Sequence, residues 1–203
     1  MPKRRSHFIR REQATNSLPA ILTACEIGLP LNTFVTVNFQ HLGYDGENSY
    51  ILNSKIKKWV QDWLRRPKRS MRFKSTPLTM IWVIENRNHA GVHWALHLPH
   101  GSKKHFKVGL KNFLEREFGN IVNNKTVKIK PVYRILGLRK YMLKGLQDVY
   151  GPLYRINTSD QGLVVGKRFG FTQNIGPSKI KSLDIKRRRS SLMSKYFPEL
   201  STS

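Results

Sequence analysis

The chain has 203 residues, room for one ordinary globular domain with extensions but not for two large ones. Its 37 Lys and Arg against 12 Asp and Glu leave a formal charge of +25, a self-repulsion best relieved by a polyanion that releases its counterions, so nucleic acid is the expected partner. Cys25 is the only cysteine, which excludes an internal disulfide and a Cys-rich zinc site. With no apolar run of about 20 residues and no lipid signal, a cytoplasmic setting without a membrane is expected.

Residues 1–30 read as a basic N-terminal extension, beginning Met1-Pro2-Lys3-Arg4-Arg5 and holding a short apolar piece at 18–22 that the pattern leaves unassigned. From Asn32 the residues alternate: Thr33, Val35, Val37 and Phe39 share one face and Asn32, Phe34, Thr36 and Asn38 the other, as in a strand with one partly polar side. After Gly43 and Gly46, the apolar residues Ile51, Ile56, Trp59, Val60 and Trp63 recur at helical spacing, giving an amphipathic helix with a basic rim that Pro67 ends. Residues 79–85 and 92–98 are rich in strand formers and read as a hairpin. A second helix carries Phe106, Leu110, Phe113, Leu114 and Phe118 up to Gly119, and residues 126–132 form a strand with alternate Lys, suited to a sheet edge. A helix is expected over 139–148, weakened by Gly145. Regular patterns then fade, and residues 177–203, with the run Lys186-Arg187-Arg188-Arg189, read as a basic tail ordered on nucleic acid.

Two constellations carry chemistry. Glu85 near the end of one hairpin strand and His93 near the start of the other suit a divalent ion. His97 shares the face of His93 but lies roughly 13 Å further along an ideal strand, and His89 in the turn is a looser candidate. The other reading of these histidines is a half-exposed polar face. The second constellation is Tyr141 and Lys144, three residues apart, where a phenol and an ammonium can meet one phosphate. A protonated tyrosine is a weak nucleophile, ionising ordinarily near pH ~10, so a neighbouring cation would help. Basic contacts to phosphates are expected from Arg139, Lys140, Lys167, Arg168, Lys186, Arg187, Arg188 and Arg189.

The order of these pieces resembles the HUH-type endonucleases, the superfamily of rolling-circle replication initiators and relaxases. Residues 34–39, Phe-Val-Thr-Val-Asn-Phe, are similar to its first motif; Glu85 and the segment 91–99 resemble its metal motif; Tyr141 and Lys144 match its Tyr-x-x-Lys nucleophile motif. The wording at 141–146 and 166–168 resembles plasmid and phage initiators of bacteria in particular. Over residues 31–176 the resemblance implies an α+β, ferredoxin/RRM-like domain: a central antiparallel sheet of about five strands with flanking helices. It also implies a Mg or Mn ion on Glu85, His93 and His97, and nicking of single-stranded DNA by Tyr141 that leaves the 5′ end on the tyrosine. The family's paired histidines, one residue apart, have no counterpart: Gly91 or Ala95 stands where the partner of His93 would be. That leaves a two-ligand site, one rebuilt with His89 or His97, or none. A non-catalytic DNA-binding protein and an RNA-binding or ribosome-associated protein are the alternatives.

Overall fold

In the computed structural model, the described residues are 5–44, 46–66, 73–87, 89–119 and 122–200. The expected helix stop at Pro67 and the first four residues of the basic arm lie outside them. The elements in chain order are β1 (Arg5–Ser6), α1 (Arg11–Glu26), β2 (Thr33–Asn38), α2 (Ser49–Arg65), β3 (Met80–Glu85), β4 (Gly91–Leu96) and α3 (Lys103–Phe118). They continue with β5 (Val127–Pro131), α4 (Ile135–Met142), α5 (Gly151–Tyr154), β6 (Val164–Val165), β7 (Phe169–Phe171), α6 (Pro177–Ser182) and α7 (Arg189–Tyr196). No helix among the described residues is long and apolar enough to cross a membrane.

The fold is α+β around a five-stranded antiparallel sheet in the order β5-β2-β4-β3-β7, with β1 and β6 forming a separate two-stranded ribbon. The expected hairpin is present, with Val83 opposite His93 and Glu85 opposite Gly91. Period-two alternation sends Val35, Val37, Trp82, Ile84, Val92 and Trp94 to one face, where the apolar stripes of α2 and α3 cover them. Ile81, Val83 and Ala95 face the other way, into a second cluster built with α1, α4, α6 and α7. Every residue of β4 is buried, because this central strand has helices on both sides.

Several expectations are corrected here. The N-terminal segment is not a mere extension: α1 contains the unassigned apolar piece, and Ala14, Ala20, Ile21, Leu22 and Ala24 are core residues. Ile9 joins the same layer through a backbone hydrogen bond from its N–H to the Gly145 carbonyl, 2.8 Å. Nor is the segment from 177 onward a tail waiting for nucleic acid, since Ile180, Ile185 and Leu192 are buried in the second cluster. Glu26 at the end of α1 fastens it further, accepting from Arg188 (2.6 Å), Lys195 (2.9 Å) and the Tyr196 hydroxyl (2.9 Å). The helix expected over 139–148 begins earlier and stops at Met142, so Lys144 occupies the turn that follows. The fifth strand, β7, was not recognised because it is only three residues long around Gly170. A side chain at Gly170 would collide with the Trp82 ring, so glycine is what allows β7 to lie against β3.

Candidate active site

Three adjacent strands converge on one imidazole. His93 of β4 stands opposite Thr36 of β2 and Val83 of β3, all on the α4 side of the sheet. The Thr36 hydroxyl is 2.9 Å from His93 Nδ1, and the Phe34 ring stacks on the imidazole with centroids 5.5 Å apart. Glu85, one diagonal position away, places Oε2 3.3 Å from His93 Nε2. The ring is thus held through both nitrogens and one face, with its outer edge directed at α4.

That edge meets Tyr141. Met142 and Leu143 are buried in the second cluster and fix the end of α4, which leaves the preceding residue, Tyr141, 42% exposed at the sheet surface. Its hydroxyl lies 3.4 Å from His93 Nε2, and its ring packs edge-on against Phe34 and His93 at centroid distances of 6.1 and 5.4 Å. Lys144, folded back by the turn, sits with Nζ 3.0 Å from Glu85 Oε2 and 4.5 Å from the centre of the Tyr141 ring. Burial works to raise the Glu85 carboxyl. Hydrogen bonds and charge from His93 and Lys144 outweigh it and hold the group below its ordinary value.

The phenol opens into a cleft of 470 Å³ lined by Phe34, Thr36, His93, Lys128, Lys130, Leu138 and Tyr141. Lys128 and Lys130 come from the edge strand β5, opposite Thr36 and Phe34, and both are exposed. Neither was singled out as functional from the sequence, nor were Thr36 and Phe34. The signal was there in two parts, the alternate Lys of β5 and the partly polar face of β2, but alternation does not say which strands are neighbours.

The donor set does not fit the divalent ion that the resemblance implies. His97, expected as a ligand, lies beyond the end of β4 and pairs its Nδ1 with the Pro30 carbonyl at 2.9 Å; His89 pairs with Gln40. Gly91 and Ala95 cannot supply the missing imidazole. A Cβ at Gly91 would already press on the Val37 carbonyl at 3.0 Å, and Ala95 is core. Among the described residues no group of three or more His, Cys, Asp or Glu comes together. Glu85 and His93 remain, and the Glu85 Oε1 atom is sealed from solvent without a hydrogen-bond partner. An ion would have to use Oε2, the oxygen that Lys144 holds. Unit charges 4 Å apart interact by about 4 kcal/mol at an effective dielectric of about 20, and a divalent ion beside Lys144 would meet about twice that in repulsion.

The expected phosphate contacts divide. Arg168 is corrected: it is 1% exposed and donates to the carbonyls of Ile84, Gln161, Ser6 and Gly162, so its guanidinium is not available to a phosphate. Lys167 reaches toward Trp82, with Nζ 5.5 Å from a ring on the face away from Tyr141. Arg139 is half-buried, donating to Ser17 Oγ at 2.6 Å and so pinning α4 to α1. Arg187 and Arg188 pair with Asp184 (3.1 Å) and Glu26 (2.6 Å). Lys140, Lys186 and Arg189 are exposed, and Lys140 is next in sequence to the phenol.

Comparisons with protein-family models, with curated proteins and with solved structures each find no match.

Proposed function

We propose that this chain nicks single-stranded DNA by transesterification onto Tyr141, on a sheet of the HUH endonuclease type, as an initiator of plasmid or phage replication would. The observation that carries this reading is the 3.4 Å approach of the Tyr141 hydroxyl to His93 Nε2 inside an open cleft bordered by Lys128 and Lys130. An exposed phenol beside an imidazole and under two cations is the equipment for attack on a phosphodiester.

The chemistry is written with the residues present. At rest the Nε2 proton of His93 faces Glu85 Oε2, 3.3 Å away; for the reaction the imidazole takes up the tautomer with its proton on Nδ1, donated to the Thr36 hydroxyl, so that Nε2 accepts the Tyr141 proton. The phenolate oxygen forms a bond to phosphorus, the bond from phosphorus to the upstream 3′ oxygen breaks, and the proton on His93 passes to that oxygen. Glu85, 3.3 Å from Nε2, stabilises the imidazolium while it exists, and Lys144 lowers the cost of negative charge on the phenol. Lys128 and Lys130 hold the non-bridging phosphate oxygens. The products are a 5′-phosphotyrosyl link and a free 3′ hydroxyl.

Incubation with a pooled library of labelled single-stranded DNA is expected to give a covalent, denaturation-resistant adduct. Tyr141→Phe should give none, and His93→Ala should slow its formation by about 10²–10⁴, the usual contribution of a general base. The charge of +25 favours a second reading, a DNA-binding protein without catalysis. Tight binding with no adduct from any sequence would select it.

A further inference from the structure

We infer, on the nicking reading above, that the reaction needs no metal ion: the ammonium of Lys144 is the fixed cation of the site and excludes a divalent one. Lys144 Nζ is 3.0 Å from Glu85 Oε2, the same oxygen that faces His93 Nε2 at 3.3 Å. Lys144 and His93 therefore both occupy the one oxygen that an ion held by Glu85 would need. Lys144 also lies 4.5 Å from the centre of the Tyr141 ring, so one positive charge serves both the carboxylate and the nucleophile. The arrangement is built in by the chain. The turn after α4 brings Lys144 N–H to the Tyr141 carbonyl at 3.2 Å, and the Ser159 N–H donates to the Lys144 carbonyl at 2.8 Å, fixing the backbone on both sides of the side chain. Because Oε1 of Glu85 is sealed, an ion on Glu85 would have to compete with Lys144 for Oε2.

The cation supplies positive charge beside the nucleophile, from 4.5 Å off the centre of the Tyr141 ring. In this reaction the proton passes through His93, whose Nε2 accepts it in the tautomer that carries the ring proton on Nδ1. Glu85 holds Lys144 and His93 in place, and acts as a positioning residue for both.

Two measurements test this. The first compares adduct formation by the wild-type chain in excess EDTA and in excess Mn²⁺. Rates within about twofold of each other are expected, and an adduct that forms only with Mn²⁺ overturns the inference. The second needs no activity: Mn²⁺ is titrated into wild type, Glu85→Ala and Lys144→Met while the spectrum of the free ion is followed by electron paramagnetic resonance. Wild type should show no binding that Glu85→Ala removes, and Lys144→Met should bind Mn²⁺ at least about tenfold more tightly than wild type, the effect expected of removing one charge beside the ion. Saturable wild-type binding lost in Glu85→Ala overturns the inference, as does a Lys144→Met chain that binds no better. If no adduct forms in either buffer, the nicking reading fails, and the titration alone decides whether Lys144 excludes the ion.

Discussion

His93 is the residue on which the site turns, because three groups define its state: a hydroxyl on Nδ1, and a carboxylate and a phenol sharing Nε2. A carboxylate beside an imidazole and an ammonium has a pH signature whose sign follows from its depressed titration. The folded chain holds Glu85 ionised below the ordinary value of 4.5, so in the window between the two values the unfolded chain binds more protons. The stabilisation is therefore complete above pH 4.5 and is lost as pH falls through the folded value. In urea titrations from neutral to acid pH, the wild type is expected to lose stability relative to Glu85→Gln below that point; parallel curves would mean the contacts of Glu85 add nothing. Much of this cluster was legible in the sequence, since Glu85, His93, Tyr141 and Lys144 stand out by residue type and order. Thr36 was not, because only the register of β2 on β4 makes it the partner of His93. His97 misled for a related reason: it shares a face with His93, but two pleats separate them and the Pro30 carbonyl has claimed its ring.

Among the elements, the ends of the chain were the least legible. Ten of the 16 residues of α1 are buried, so no polar stripe marks it as a helix, and Pro19 lies inside it. The basic run 186–189 obscured Ile180, Ile185 and Leu192, the apolar residues that seat α6 and α7 on α1. Arg168 shows how a charged residue can be read as surface when it is structural. From the position just before β7 it ties the last residue of β1, the end of β3 and the segment before β6 through four carbonyls. Replacing it removes a donor from each; the Gln161 carbonyl keeps the Asn86 N–H at 2.8 Å, and a buried acceptor left without a partner costs about 1–3 kcal/mol. Arg168→Met is expected to lower unfolding stability by at least about 3 kcal/mol, read from urea midpoints. A loss under about 1 kcal/mol, with weakened DNA binding instead, would return Arg168 to the phosphate-contacting role the sequence suggested.

For the whole molecule, the two-sided sheet decides where the proposed DNA strand could reach. One face is closed by α2 and α3, and the other is covered by α1, α4, α6 and α7 except at the β5 edge. There Lys128 and Lys130 stand across the cleft from Tyr141, which makes this edge the proposed track for a strand. Each phosphate contact to a single strand contributes a slope of about −0.7 in log affinity against log salt. Lys128→Ala and Lys130→Ala are each expected to flatten the salt dependence of single-stranded DNA binding by about that amount. Slopes unchanged from wild type would place the DNA elsewhere on this highly charged surface.

The most direct test is to isolate the covalent complex with DNA, digest the nucleic acid to a single nucleotide and the protein to peptides, and locate the modified residue by mass spectrometry. A 5′-linked nucleotide on Tyr141 is the expected result. A nucleotide on any other side chain, such as the far more exposed Tyr133, or a 3′ linkage on Tyr141, would contradict the assigned nucleophile or the direction of its attack.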